Sequence, residues 1–231
     1  TEGPGPSTTR ATPTGKTPTS LRETPQSVSV ITRQRIEDQN LADLGDAFRY
    51  TTGLTLSPLG TIGTPYAFSR GTAVDLQIDG LNRVTAFYGD PIDLAVYDHV
   101  EVLRGPAGLF RGAGSAGATA NLVRKRALAS FQAGLAVGAG SWGGWRGETD
   151  VTGALTASQN VRGRIVFVAE NRGDWRDHVK NRKLLGYGTL EIDLGERTTL
   201  SLGGTVQNTE TSNFFALPTD VIGHFLDIPR S

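Results

Sequence analysis

Gly112-Ala-Gly-Ser-Ala-Gly117 satisfies the spacing G-x-G-x-x-G, which cradles a pyrophosphate when it closes a strand and opens a helix whose free N–H groups meet the phosphate. Here a strand-like run follows instead of a helix, and the next carboxylate that could hold a ribose hydroxyl is Glu148. The nucleotide reading fails, and no G-K-[ST] supports a phosphate loop. His99, His178 and His224 lie far apart, without zinc-site spacing or the company of a serine or cysteine nucleophile. Asp75, Asp79, Asp90, Asp93 and Asp98 are dense enough for a paired-carboxylate site to be conceivable. Turn formation and ion pairing with Arg70, Arg83 and Arg104 suit them better. No enzyme chemistry emerges, and neither a resident metal nor a cofactor is expected. Recognition chemistry is better represented: residues 58–68 contain Tyr66 and Phe68, and residues 82–88 contain Arg83, Phe87 and Tyr88. Aromatic faces with one cation suit a large, partly polar ligand such as a metal chelate, with the metal arriving already bound. Core packing is the competing role for Phe68 and Phe87.

The elements that must position these side chains are clearest between residues 98 and 126. Val100 and Val102 alternate with Glu101 and Leu103 as in a mostly buried strand, and Arg104-Gly105-Pro106 ends it, because proline offers no donor to the ladder. Gly105, Gly108, Gly112, Gly114 and Gly117 then permit positive φ at five points, which suits a compact, irregular segment. Upstream, Val28, Val30 and Ile31 read as a short strand. Ile36, Leu41, Leu44, Ala47 and Phe48 recur at helical spacing, with Asp43 near the first turn and Gly53 beyond the end. Leu54 to Leu56, Asp75 to Asp79 and His99 to Leu103 supply further strands, and Asp79-Gly80 suits a tight turn. Residues 21–126 therefore read as one α+β domain.

From about residue 129 the pattern becomes strict alternation. Phe131, Ala133, Leu135, Val137 and Ala139 oppose Gln132, Gly134, Ala136 and Gly138, and Val151, Gly153 and Leu155 oppose Asp150, Thr152 and Ala154. Ile165 and Phe167 oppose Arg162, Arg164 and Glu170; Leu190, Ile192 and Leu194 oppose Glu191 and Asp193; Leu200, Leu202 and Val206 oppose Thr199, Ser201 and Gln207. About five segments of roughly ten residues, apolar on one face and polar on the other, are the signature of transmembrane β-barrel strands. A soluble sandwich face is the competing reading. Trp142, Trp145, Trp175 and Tyr187 fall at strand ends or in strands, where an interfacial girdle would hold some of them. Five strands cannot close around a domain of a hundred residues, so the expected barrel is incomplete and the chain a fragment.

Composition narrows the function classes. The 231 residues carry 23 Lys+Arg against 23 Asp+Glu, which leaves no net field for nucleic acid. There is no cysteine, hence no disulfide or thiolate chemistry. No run of about eighteen apolar residues forms a membrane-spanning helix. Residues 1–20, rich in Thr, Pro and Gly, read as a flexible arm.

Residues 20–126 resemble the plug domain of TonB-dependent outer-membrane receptors, most closely the siderophore group. The likeness is carried by Leu21-Arg-Glu-Thr-Pro-Gln-Ser-Val-Ser-Val-Ile-Thr32, Leu41 to Leu54, Ser69-Arg-Gly71, Gln77-Ile-Asp-Gly80, Val100-Glu-Val-Leu-Arg-Gly-Pro106 and Asn121-Leu-Val-Arg-Lys125. Phe110-Arg-Gly112, Ala118 and Thr72 depart from the family pattern. The resemblance implies an α+β plug followed, over residues 127–231, by the first antiparallel strands of an incomplete transmembrane β-barrel. It further implies uptake of a ferric siderophore across the outer membrane of a Gram-negative cell, powered by TonB, with outer-membrane lipid around a monomer and no nucleic-acid partner. Tyr66, Phe68, Arg83, Phe87 and Tyr88 are the implied ligand contacts. Glu101 and Arg104 are the implied charged lock between plug and barrel, with Arg162, Arg164 and Glu170 as partners on the wall. The arm holds no convincing TonB box. A transport-incompetent binding or signalling module from a truncated gene is the alternative.

Overall fold

The computed structural model describes residues 10–11, 19–20, 27–57, 66–82, 92–106, 116–175, 179 and 181–212. The chain divides into two compact units, residues 1–59 with 63–125, and residues 60–62 with 126–231.

The first unit is built on a mixed sheet. Its strands are β3 (Ser27–Ile31), β4 (Thr55–Ser57), β5 (Tyr66–Ser69), β6 (Thr72–Ile78), β7 (Leu81–Asn82), β8 (Tyr97–Arg104) and β9 (Ala118–Arg124). They run in the order β3-β8-β9-β6-β5-β4, with β7 paired to β6. Before it, β1 (Arg10–Ala11) and β2 (Thr19–Ser20) pair with each other, so four residues of the expected arm are in a β-ladder. The single expected helix is two: α1 (Arg33–Asp38), capped by Thr32, and α2 (Leu44–Arg49), capped by Asp43. The Thr32 hydroxyl accepts from the Arg35 amide, and the Asp43 carboxylate accepts from the Asp46 amide at 2.9 Å. Asn40, at φ 50°, breaks the helical path between them. The apolar spacing survives the break because Ile36, Leu41, Leu44, Ala47 and Phe48 are all buried. They share the core with Ile31, Leu94, Val100, Val102, Ala120 and Leu122.

Two tight turns set the register of the central hairpins. Arg70-Gly71 joins β5 to β6 and Asp79-Gly80 joins β6 to β7, with φ of 52° and 78° in the first and 49° and 78° in the second. Both central residues at positive φ define the type I′ hairpin turn, whose twist matches the flanking strands. The Asp79 carboxylate also accepts from the Arg124 backbone amide at 2.9 Å and pairs with its guanidinium at 2.5 Å, fixing the turn to the end of β9. Gly117 is required by close approach: a Cβ there would lie 2.7 Å from the Ser69 carbonyl oxygen.

The second unit is a five-stranded antiparallel meander of β10 (Gln132–Ala139), β11 (Trp145–Ala154), β12 (Val161–Asn171), β13 (Asn181–Gly195) and β14 (Thr198–Thr211). The five alternating segments are these five strands, with the faces assigned from the period. One exposed row reads Leu135, Thr149, Phe167, Gly186, Val206 and the next Ala133, Val151, Ile165, Gly188, Gly204. The opposite face carries the charges, which pair across strands. Arg164 grips Asp150 with two bonds of 2.8 and 2.6 Å, Arg162 bonds Asp193 at 2.8 Å, and Lys183 bonds Glu170 at 2.6 Å. Arg146 and Arg172 also reach Glu170, each at 3.2 Å. Val166, Val168, Leu185 and Tyr187 lie on this face too and are buried, so Tyr187 is no part of an interfacial girdle. The start of the unit is tied down: the Arg126 carbonyl accepts from Arg164 at 3.1 Å, and the Leu128 amide donates to the Thr152 hydroxyl at 2.9 Å.

Substitution Gly117→Ala forces a backbone shift where β9 begins, and should lower stability by about 1–3 kcal/mol. The check is the urea midpoint of plug unfolding; Gly138→Ala, where a Cβ meets open space, serves as the neutral comparison.

Candidate functional site

Tyr66 and Phe68 occupy the same face of β5, two residues apart. Their rings are 6.5 Å apart between centroids and tilted by 37°, a geometry in which edge and face attract. Both side chains are half-buried, so each combines packing with access. Because β5 and β6 are antiparallel, Tyr66 and the Asp79-Gly80 turn lie toward the same end of the sheet. Arg83, Phe87 and Tyr88 lie outside the described residues. Among the described residues there is no group of three His, Cys, Asp or Glu side chains that could hold a metal ion.

Glu101 and Arg104 project to opposite faces of β8, since they are three residues apart on a strand. Arg104 serves the helical face. Its Nε donates to the Thr52 carbonyl at 2.9 Å, and its two terminal nitrogens donate to the Ser27 and Ser29 hydroxyls at 3.0 and 2.8 Å. One guanidinium thereby ties β3, β8 and the turn after α2. Gly53, at φ 80°, fits beneath it, where a Cβ would come 3.0 Å from Nε.

Glu101 serves the other face and is 1 % exposed. Asn121, directly opposite on β9, donates its amide to the Glu101 carboxylate at 3.0 Å. The same Asn121 side chain accepts from the Gly80 amide at 2.9 Å, and Gln77, its register partner on β6, donates to Asn82 at 2.9 Å. Glu101, Asn121 and Gln77 thus form a buried polar row across three strands. Burying a carboxylate is costly unless its oxygens are satisfied, and this row supplies partners. His99 completes the group, with Nδ1 2.8 Å from Asp98 and Nε2 3.5 Å from Glu101. Burial opposes the imidazolium, but hydrogen bonds to Asp98 and Glu101 and their negative charges outweigh it, raising the His99 pKa to about 9. The sequence gives three isolated polar residues, Gln77, Glu101 and Asn121; only the strand register unites them. The charges expected as partners of the lock, Arg162, Arg164 and Glu170, bond across β11, β12 and β13 to Asp193, Asp150 and Lys183.

A two-helix unit with this sheet order, continued in the same chain by antiparallel strands alternating between an apolar and a charged face, has the architecture of a plug domain followed by part of an outer-membrane β-barrel. Residues 20–119 match the TonB-dependent receptor plug domain, and the chain belongs to the TonB-dependent siderophore receptor family. It is 42 % identical over 195 residues to the ferripyoverdine receptor of Pseudomonas aeruginosa, an alignment covering 82 % of this chain and 24 % of that protein. The crystal structure of the ferripyoverdine receptor of the Pseudomonas aeruginosa outer membrane bound to ferripyoverdine superposes with a TM-score of 0.83 at 37 % identity, over 96 % of this chain and 31 % of that one. The alcaligin outer-membrane receptor of Bordetella pertussis gives a TM-score of 0.79 at 34 % identity, over 89 % of this chain and 36 % of that one. The chain spans about a quarter of the length of the curated relatives it matches.

Two outcomes test this geometry. The His99 Cε1 resonance should titrate near pH 9. Since the folded pKa lies above the unfolded value of about 6.5, the stabilisation is complete below pH ~6.5 and is lost as pH rises through 9. A midpoint near 6.5 would contradict the Asp98–His99–Glu101 arrangement. Arg104→Lys, which cannot reproduce the three-way fork, should cost about 1–3 kcal/mol in urea unfolding.

Proposed function

We propose that the protein takes up a ferric siderophore across the outer membrane, with the plug as gate and the strands after residue 131 as the first part of the barrel wall. The observation carrying this reading is the joining of a plug to strands with one apolar and one charged face, in a chain whose relatives are named as siderophore receptors. Pyoverdine-type chelates are the first cargo to test. Tyr66, Phe68, Arg83, Phe87 and Tyr88 are proposed as the ligand contacts: aromatic faces pack on the organic part of the chelate, and the guanidinium answers its negative charge. The metal enters as cargo, ligated by the siderophore. Binding has to bias the plug toward a state that TonB recognises, and TonB then supplies the force that rearranges the plug. Glu101 and Arg104 are proposed as the lock in a narrower sense: the first satisfies the polar face of the plug sheet, the second clamps β3 to β8, and release of either frees a different part of the plug.

Tryptophan-fluorescence titration of the protein purified from outer membranes tests the cargo. Ferripyoverdine should saturate the wild type, and Tyr88→Ala and Tyr66→Ala should each weaken it about tenfold or more, the effect of losing a buried aromatic anchor. No saturable response to ferripyoverdine or to any other ferric siderophore would overturn the proposal in favour of a different cargo or of a transport-incompetent module.

A further inference from the structure

Asp79-Gly80, the turn between β6 and β7, is the one Asp-Gly pair of the chain, which has no Asn-Gly. That dipeptide is chemically labile, because a glycine has no Cβ to shield its amide nitrogen from the side-chain carboxyl one residue earlier. The type I′ turn nevertheless calls for these residue types, with φ of 49° and 78°. Every polar group that the reaction would use is held by β9. The Gly80 amide donates to the Asn121 side-chain oxygen at 2.9 Å, and the Asp79 amide donates to the Leu122 carbonyl at 3.0 Å. One Asp79 carboxylate oxygen accepts from the Arg124 backbone amide at 2.9 Å, the other from its guanidinium at 2.5 Å. Just behind the turn, Gln77 and Asn82 are register partners joined side chain to side chain at 2.9 Å.

Burial does not keep this turn from water, since the Asp79 side chain is 35 % exposed. What the bonds to β9 remove is freedom of rotation. The carboxyl carbon of Asp79 can reach the Gly80 nitrogen only if the residue leaves its turn conformation, and leaving it breaks those bonds together. Parallel pairing of β6 with β9, Gln77 against Asn121 and Ile78 against Leu122, brings the partners to the turn. Asn121 is itself prevented from turning away, because its side-chain nitrogen donates to the buried Glu101 at 3.0 Å.

We propose that Asp79 is a latent aspartyl-isomerisation site, kept silent in the folded protein by the bonds of the turn to Asn121, Leu122 and Arg124. The reaction begins when the Gly80 nitrogen attacks the side-chain carboxyl carbon of Asp79. A C–N bond forms, a C–O bond of the carboxyl breaks, and the amide proton leaves with the departing hydroxyl as water. The cyclic imide then takes up water and opens at either carbonyl. Opening at the original peptide carbonyl leaves the main chain running through the Asp79 Cβ, with no oxidant or partner consumed and no net change in composition. The product carries one more methylene in the main chain between β6 and β7, and its carboxylate sits directly on Cα, one bond shorter in its reach toward Arg124. The two-residue turn that pairs Ile78 with Leu81 is thereby lost, at the point where the chain enters residues 82–88. The polar row thus protects the covalent structure of the turn as well as satisfying Glu101, whatever the cargo and whatever surrounds the strands after residue 131.

Isoaspartate at residue 79, followed by peptide mapping with electron-transfer fragmentation during warm incubation at neutral pH, tests the site in the protein purified from outer membranes. The native wild type should form it about a hundredfold more slowly than the same chain unfolded in guanidinium chloride, the effect of several hydrogen bonds that must break before the ring closes. Asn121→Ala and Arg124→Ala should each raise the native rate about tenfold, and in the Asn121 variant the Gly80 amide should exchange its hydrogen faster by a similar factor. Equal rates in the native and unfolded wild type would overturn the proposal, a comparison that needs no variant to fold. Folded Asn121→Ala and Arg124→Ala proteins that both age at the wild-type rate would overturn it as well.

Discussion

A strand in hydrocarbon has no water with which to share its amides, so every N–H and C=O must be met by the next strand. That requirement forces the antiparallel ladder of β10 to β14, and the ladder forces everything else about the wall. Side chains alternate with period two, so a strand committed to lipid on one face must place its remaining residues on the other. Charges gathered on that second face then meet one another at register positions. Arg162 opposite Glu191 and Glu170 opposite Lys183 are direct cross-strand neighbours, and the Arg164 fork on Asp150 is a diagonal one. The wall is therefore electrostatically self-sufficient where its charges cluster, and its other face is left apolar and exposed.

The plug solves a different problem with the same period. Its sheet turns Val100, Val102, Ala120 and Leu122 to the helices, and Glu101, Asn121 and Gln77 to the other side, all of them buried. A sheet buried on both faces would read as continuous hydrophobic sequence if packing were its only need. The polar row departs from that expectation, and its members hold one another, a backbone amide and His99 in fixed geometry. Arg104 adds a second tie on the helical face. The plug thus has its ties centred on β8 and β9, with the aromatic pair of β5 one strand in from the β4 edge.

Much of this was legible in the sequence. The five wall strands follow from alternation alone, because a one-residue slip would have reversed every face. Asp79-Gly80 announced its turn by residue type, since both positions need positive φ. The helix was legible as an apolar stripe but not as two pieces: Ile36, Leu41, Leu44 and Phe48 keep their spacing across a break that resides in the backbone of Asn40. The polar row was illegible, because nothing in the chain brings Gln77, Glu101 and Asn121 together before β6, β8 and β9 are placed side by side. Val166, Val168, Leu185 and Tyr187 also escaped, as apolar residues on the charged face break the very alternation that identifies the strand. Resemblance supplied Glu101 and Arg104 as important positions, while their opposite orientations required the register.

The tether at residues 126–128 has a mechanical side. The guanidinium of Arg164 holds the Arg126 carbonyl while its remaining nitrogens grip Asp150, and Thr152 receives the Leu128 amide while donating to the Gly163 carbonyl at 3.0 Å. Tension arriving along the chain from residue 125 meets bonds to both β11 and β12 within three residues. The wall strands thus act as an anchor plate: a pull strong enough to unravel a loop meets, at this point, two strands of ten and eleven residues instead of one frayed end.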